Sequence, residues 1–259
     1  MLIGLTALSV NSALLLSMTL GKKRRGNHST ALGGRLMNAP TKSERLLERA
    51  CASLILSPAF FAGAILRKRW IATASVPRAG TDGRDLFYNP KWLEALPLDE
   101  VVGTLAHEAC HDLGLHSFRQ GNRKAFFIDS EGHAVTWWNI ACDHVVNQVV
   151  TECGLTLPKD SVPPIADETP EHLYEQPERM TKACGCRLIE PTDAQGRVLT
   201  GAALKAAELE ARLQQAAMRE QAIRMGNMPA GLARLVGAST QSSGPWESIV
   251  QRFVNAGAH

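Results

Sequence analysis

The segment Leu105–His116 reads LAHEACHDLGLH and holds three histidines and an internal glutamate. His107 and His111 stand four residues apart, so on an α-helix both project from one face. Two imidazoles at that spacing can grip one metal ion. Glu108 falls about 100° round the helix from His107. There it flanks the ion without ligating it, the place for a general base that accepts a proton from an activated water. The chemistry this assigns is zinc-dependent hydrolysis of a polarised carbonyl. Leu105, Ala106, Ala109 and Cys110 surround these groups with apolar side chains. Burying His, Glu and His together without a metal is costly.

A catalytic zinc takes three protein ligands and keeps one position open. Two segments can supply the third. His116 lies nine residues past His107. On a continued helix it faces the opposite side, whereas a turn at Gly114 swings it back. The other source is the stretch WWNIACDHVVNQVVT, Trp137 to Thr151, where Asn139, Asp143 and Asn147 recur every four residues. This polar stripe borders an apolar arc of Cys142, Val145, Val146, Val149 and Val150, as on a helix that lines a site. Asp143 is the expected third ligand, with Asn139 and Asn147 orienting it or its neighbours. His133, in a loop, is an outside candidate. His144 is expected on the exposed side.

Two helices must therefore meet. The first is expected over Pro97–His116, with Asp99 and Glu100 in the first turn, favoured by the helix dipole, and Gly114 as terminator. The second is expected over Trp137–Thr151, and residues 117–136 read as a loop. Upstream, Thr41 opens a helical pattern that Pro58 ends. KRWIAT (68–73) and Leu86–Tyr88 read as strands, separated by turn chemistry in PRAGTDGRD. Downstream, Thr169-Pro170-Glu171 opens a short helix through Tyr174 with Pro at its first position. Ala202–Met225 reads as a long helix.

The formal net charge is +3, and residues 1–36 alone hold Lys22, Lys23, Arg24, Arg25 and Arg35 with no acid. The rest therefore carries 3 − 5 = −2, which gives no electrostatic reason for nucleic-acid binding. The first twenty residues are apolar but are followed, not preceded, by KKRR. That order is wrong for a secretory signal, and the polar residues make a poor membrane span. If the segment did insert, its basic flank would hold the body in the cytoplasm. Residues 1–36 are expected to be a disordered or non-native extension, with Met37 as an alternative start and 37–259 as the domain. Of six cysteines only Cys184 and Cys186 are close, with no second pair to complete a Cys₄ zinc site. Reduced thiols in a loop are the expectation.

HEACHDLGLHSFR followed by WWNIACDHVVNQVV resembles the bacterial putative metallopeptidase domain, metal-dependent peptidases usually joined to a C-terminal von Willebrand factor A-like domain. The motif residues are His107, Glu108, His111, His116, Arg119, Trp138, Asn139, Ala141, Asp143 and Asn147. TDGRDLFYNP, GNMPAGLARL and PWESIVQRFV add weaker matches. The resemblance implies a zincin-like α+β fold, mostly helical with a small sheet beside the motif helix, and Zn²⁺-dependent peptidase chemistry on a peptide or protein. The expected von Willebrand-like domain is not read in this sequence, and an ATPase or a von Willebrand factor A-like protein is a candidate partner. In such folds an edge strand beside the cleft can pair with an extended peptide, and Leu86–Tyr88 is the candidate. Arg119, His116 and Tyr88 are candidates for stabilising the oxyanion. The competing readings are a catalytically silent metal-binding adaptor and a zinc hydrolase of non-peptide amides.

Overall fold

A computed structural model describes residues 39–56, 60–181, 186–193, 195–224 and 230–241. The expectations about residues 1–36, and those resting on PWESIVQRFV, lie outside the described residues. The described residues from Lys42 onward group as one compact unit.

The chain is α+β and mostly helical. Helix α1 (Lys42–Leu56) and the short α2 (Phe60–Ile65) lead to β1 (Trp70–Ala72), β2 (Ala79–Thr81) and β3 (Leu86–Tyr88). Helices α3 (Pro90–Leu93), α4 (Leu98–Leu113) and α5 (His116–Arg119) follow. A hairpin of β4 (Phe126–Ile128) and β5 (Ala134–Thr136) runs directly into α6 (Trp137–Glu152). Then come α7 (Pro170–Tyr174), β6 (Arg187–Leu188), α8 (Gly201–Arg224) and α9 (Ala230–Gln241). None of the described helices is long and apolar enough to cross a membrane.

Helix α4 is the centre of the molecule. From Glu100 to Leu113 every residue but Asp112 is buried, because α1, α2, α6, α8, α9 and β2 all pack on this helix. Its apolar positions Val101, Leu105, Ala109 and Cys110 join Leu47, Leu54, Phe61, Ile140, Val146 and Val150 in one core. Fully burying one Leu or Ile side chain stabilises by roughly 1.5–3 kcal/mol, so this core fixes how α4 and α6 lie against each other. α6 starts where Thr136 caps it, its hydroxyl accepting from the Asn139 amide.

Three sequence expectations need correction. Leu86–Tyr88 is not an edge strand: the sheet order is β1-β3-β2-β6, with β3 parallel to β1 and antiparallel to β2. The reason is that part of the presumed turn, Ala79–Thr81, is itself a strand. The turn shrinks to Asp82-Gly83, where Gly83 takes a positive φ of 87° and the Asp82 carboxylate accepts from the Arg84 and Asp85 amides. Residues 117–136 are not an irregular loop, since they contain α5 and the β4–β5 hairpin. That hairpin's turn is organised by Asp129, which accepts from the Glu131 and His133 amides. His144 is not exposed either. The proline-rich segment crosses its face, so the ring is fully buried, bonded through Nδ1 to the Pro163 carbonyl and through Nε2 to the Thr181 amide.

Candidate metal centre

α4 and α6 bring three donor atoms to one point. His107 Nε2 lies 2.9 Å from His111 Nε2. Asp143 Oδ1 lies 3.5 Å from the first and 3.1 Å from the second. All three side chains are buried. Asp143 Oδ1 has two close nitrogens but no well-formed hydrogen bond, and two imidazole Nε2 atoms face each other across less than 3 Å. Protons alone satisfy this poorly. Donors bound tetrahedrally at about 2.0–2.2 Å stand roughly 3.3–3.6 Å apart, so the 2.9, 3.1 and 3.5 Å seen need only a small opening to admit an ion. The set of two imidazoles and one carboxylate therefore fits a divalent cation.

Each donor is held from behind. Asn147 Nδ2 donates to the Val162 carbonyl, which turns Oδ1 toward His107. That oxygen lies 2.7 Å from His107 Nδ1. His107 must then carry its proton on Nδ1 and present a lone pair at Nε2. Asn139 Nδ2 donates to Asp143 Oδ2 at 3.2 Å and to the Cys186 carbonyl, while its Oδ1 accepts from the Leu188 amide. One asparagine thus ties the carboxylate on α6 to the segment that enters β6. Asn147→Leu keeps the size but removes the acceptor of His107. Zinc affinity should fall roughly 10–100-fold in a competition titration, and unchanged affinity would show that this bond does not position the ring.

His116 returns to the cluster from an unexpected side. Helix α4 stops at Gly114, and Leu115 adopts a left-handed conformation, φ 53° and ψ 34°. Such a backbone is rare for a branched residue and is held only where surroundings over-determine it. Here the Trp138 indole donates to the His116 carbonyl, and Arg119 Nη1 donates to the Gly114 carbonyl at 2.7 Å. The other Arg119 donors are bonded to Glu171 on α7. A Cβ on Gly114 would sit 2.3 Å from His116 Nε2, so only glycine admits the ring. His116 Nδ1 lies 3.0 Å from His111 Nδ1, behind that ring and away from the donor cluster. Burial holds the His116 imidazole well below its ordinary pKa, so it is neutral and can accept from His111 Nδ1–H. That leaves His111 Nε2 free as a donor atom.

Glu108 is fully buried, and neither carboxylate oxygen accepts from an N–H or O–H group of the described residues; the donor beside it is the Cys186 thiol. Burial pushes its pKa up to about 7, against the opposing pull of His107 and the Cys186 thiol. Asp143 behaves oppositely. Burial would raise it, but the two imidazoles outweigh that and hold it below the usual carboxylate range. The two carboxylates thus differ in proton affinity, because the imidazoles dominate at Asp143 and burial dominates at Glu108.

Of the other candidates, Tyr88 is buried beside Ser43 on α1, with Glu44 and Glu94 nearby. His133 sits in the β4–β5 turn, 3.5 Å from Asp129. Two features escaped the sequence. One is the position of His116 behind His111. The other is Cys186, whose sulfur lies within 4.8 Å of donor atoms of both His107 and Glu108. No spacing signals that contact, because a loop far along the chain delivers it.

Residues 41–177, a little over half of the chain, match the sequence family described as "Putative metallopeptidase domain". No curated protein and no solved structure matches the chain.

Proposed function

This chain belongs to the putative metallopeptidase domain family, and from that premise we propose that it is a zinc-dependent peptidase. In this reading His107, His111 and Asp143 hold the ion and Glu108 is the general base. The observation that carries it is the convergence of two imidazole Nε2 atoms and Asp143 Oδ1 beside the buried Glu108 carboxylate. Zinc, when bound, supplies an acidified water and a Lewis acid for the scissile carbonyl.

The chain's own residues do the rest. Asp143, ionised, offsets the charge of the ion. Asn147 and His116 fix the tautomers that leave both Nε2 atoms available. Glu108 holds a proton affinity near neutrality, which suits a group that must accept a proton and later release it to the leaving amine. Arg119 is a positioning residue: tied to Gly114 and Glu171, it maintains the turn that places His116.

The test is a paired screen of casein and small non-peptide amides, with and without chelator. Casein should be cleaved, the cleavage should stop on chelation, and added zinc should restore it. Hydrolysis confined to the small amides would replace peptidase by amidase. Zinc bound at one ion per chain with neither substrate hydrolysed, whether Cys186 is present or replaced by serine, would leave a metal-binding module without turnover.

A further inference from the structure

We propose that Cys186 is a fourth metal ligand that seals the open coordination position in the resting protein, so that the site is latent until the Cys186–Leu188 segment moves. The proposal rests on the reading of His107, His111 and Asp143 as the metal site.

Three observations carry it. The Cys186 sulfur stands within 4.8 Å of donor atoms of His107 and Glu108, on the side of the centre where the base lies. Cys186 also lines the same small cleft as His107, Asp143 and Asn147. The Glu108 carboxylate is fully buried, and the donor beside it is the Cys186 thiol, with no N–H or O–H group of the described residues donating to either oxygen. A group meant to act on water here has the thiol as its neighbour.

The segment is held, not adrift. Asn139 accepts from the Leu188 amide and donates to the Cys186 carbonyl at 2.8 Å, and it also donates to Asp143. The thiol is thus referenced to the ligand helix by the residue that orients the third ligand. A single χ1 change moves a cysteine sulfur by about 3 Å, enough to exchange a place beside Glu108 for one on the ion. On ligation the thiol releases its proton to solvent and the sulfur takes the remaining tetrahedral position. No oxidant or reductant is involved. Because Asn139 bonds to backbone atoms of this segment, a peptide competing for the Cys186 carbonyl and Leu188 amide would loosen the thiol as it entered.

The full chain loaded with zinc should show, by X-ray absorption, one sulfur at about 2.3 Å among nitrogen and oxygen donors at about 2.0–2.2 Å. Cys186→Ser should lose that sulfur and still bind one zinc. Its hydrolysis of casein should rise about tenfold if the sealed form outnumbers the open one by that factor. Cys184→Ser should keep the sulfur. Zinc held by nitrogen and oxygen alone in the native chain overturns the latch and leaves the peptidase reading standing. A sulfur that survives Cys186→Ser overturns it too, as does loss of zinc from that variant, which would make the cysteine a permanent structural ligand. A native chain that binds no zinc sinks the latch and the proposed function together.

Discussion

Glu108→Gln is expected to bind zinc as the native chain does and to hydrolyse peptides about 10²–10⁴-fold more slowly, the usual contribution of a positioned general base. The substitution is nearly isosteric and Glu108 is not among the three converging donors, so the ion should be undisturbed. What disappears is the buried carboxylate beside the site, to which no N–H or O–H group of the described residues donates. The comparison belongs in both the native and the Cys186→Ser chain, because a sealed site would mask the loss of the base. Glutamine also removes a buried group whose ionisation burial opposes, so the variant should melt no lower than the native protein. Retained hydrolysis by Glu108→Gln with normal zinc content would rule out Glu108 as the base.

Asp143→Ala should reduce zinc affinity by far more than the roughly 10–100-fold that loss of an outer-shell partner costs, and His116→Ala should fall within that smaller range. The two residues differ in what their atoms face. Asp143 Oδ1 faces both Nε2 atoms at 3.1 and 3.5 Å, whereas His116 touches His111 at Nδ1, the nitrogen pointing away from the cluster. Removing Asp143 takes away a donor and the one negative charge directly against the imidazoles. Removing His116 leaves the donors in place but lets the His111 ring choose its tautomer and tilt. Competition with a chromophoric chelator orders the two variants. Equal losses, or a larger loss for His116→Ala, would reject Asp143 as the third ligand.

The roles of the motif residues divide along the same geometric line. His107, Glu108, His111 and Asp143 face the centre. Asn139, Asn147 and His116 each hold one of the donors by a single polar contact. Trp138 and Arg119 grip the backbone of the turn that returns His116, and Glu171 anchors Arg119 from α7. The acid that ends the Trp-Asn-x-Ala-x-Asp pattern, and the Asn four residues on, thus share one face of α6 with one target.

Much of this was present in the sequence because helices are locally periodic. Spacings of four fixed which of His107, His111, Asn139, Asp143 and Asn147 share a face, and the apolar residues between them placed those faces inside. The starts of α4, α6, α7 and α8 followed from the same periodicity and from Pro and Thr at their ends, whereas α4, expected to reach His116, stops at Leu113 before Gly114. Pairing within the sheet did not follow, because a three-residue strand such as Ala79–Thr81 carries no period of its own and looks like the turn beside it. Which side His116 occupies depended on one left-handed residue, Leu115, whose conformation is held by Trp138 and Arg119 from other elements. The arrival of Cys186 depended on where a distant loop crosses the ligand helix and on its capture by Asn139. Local spacing therefore determined which donors point together, and only the tertiary structure, through contacts between segments far apart in the chain, decided what stands behind them and what covers them.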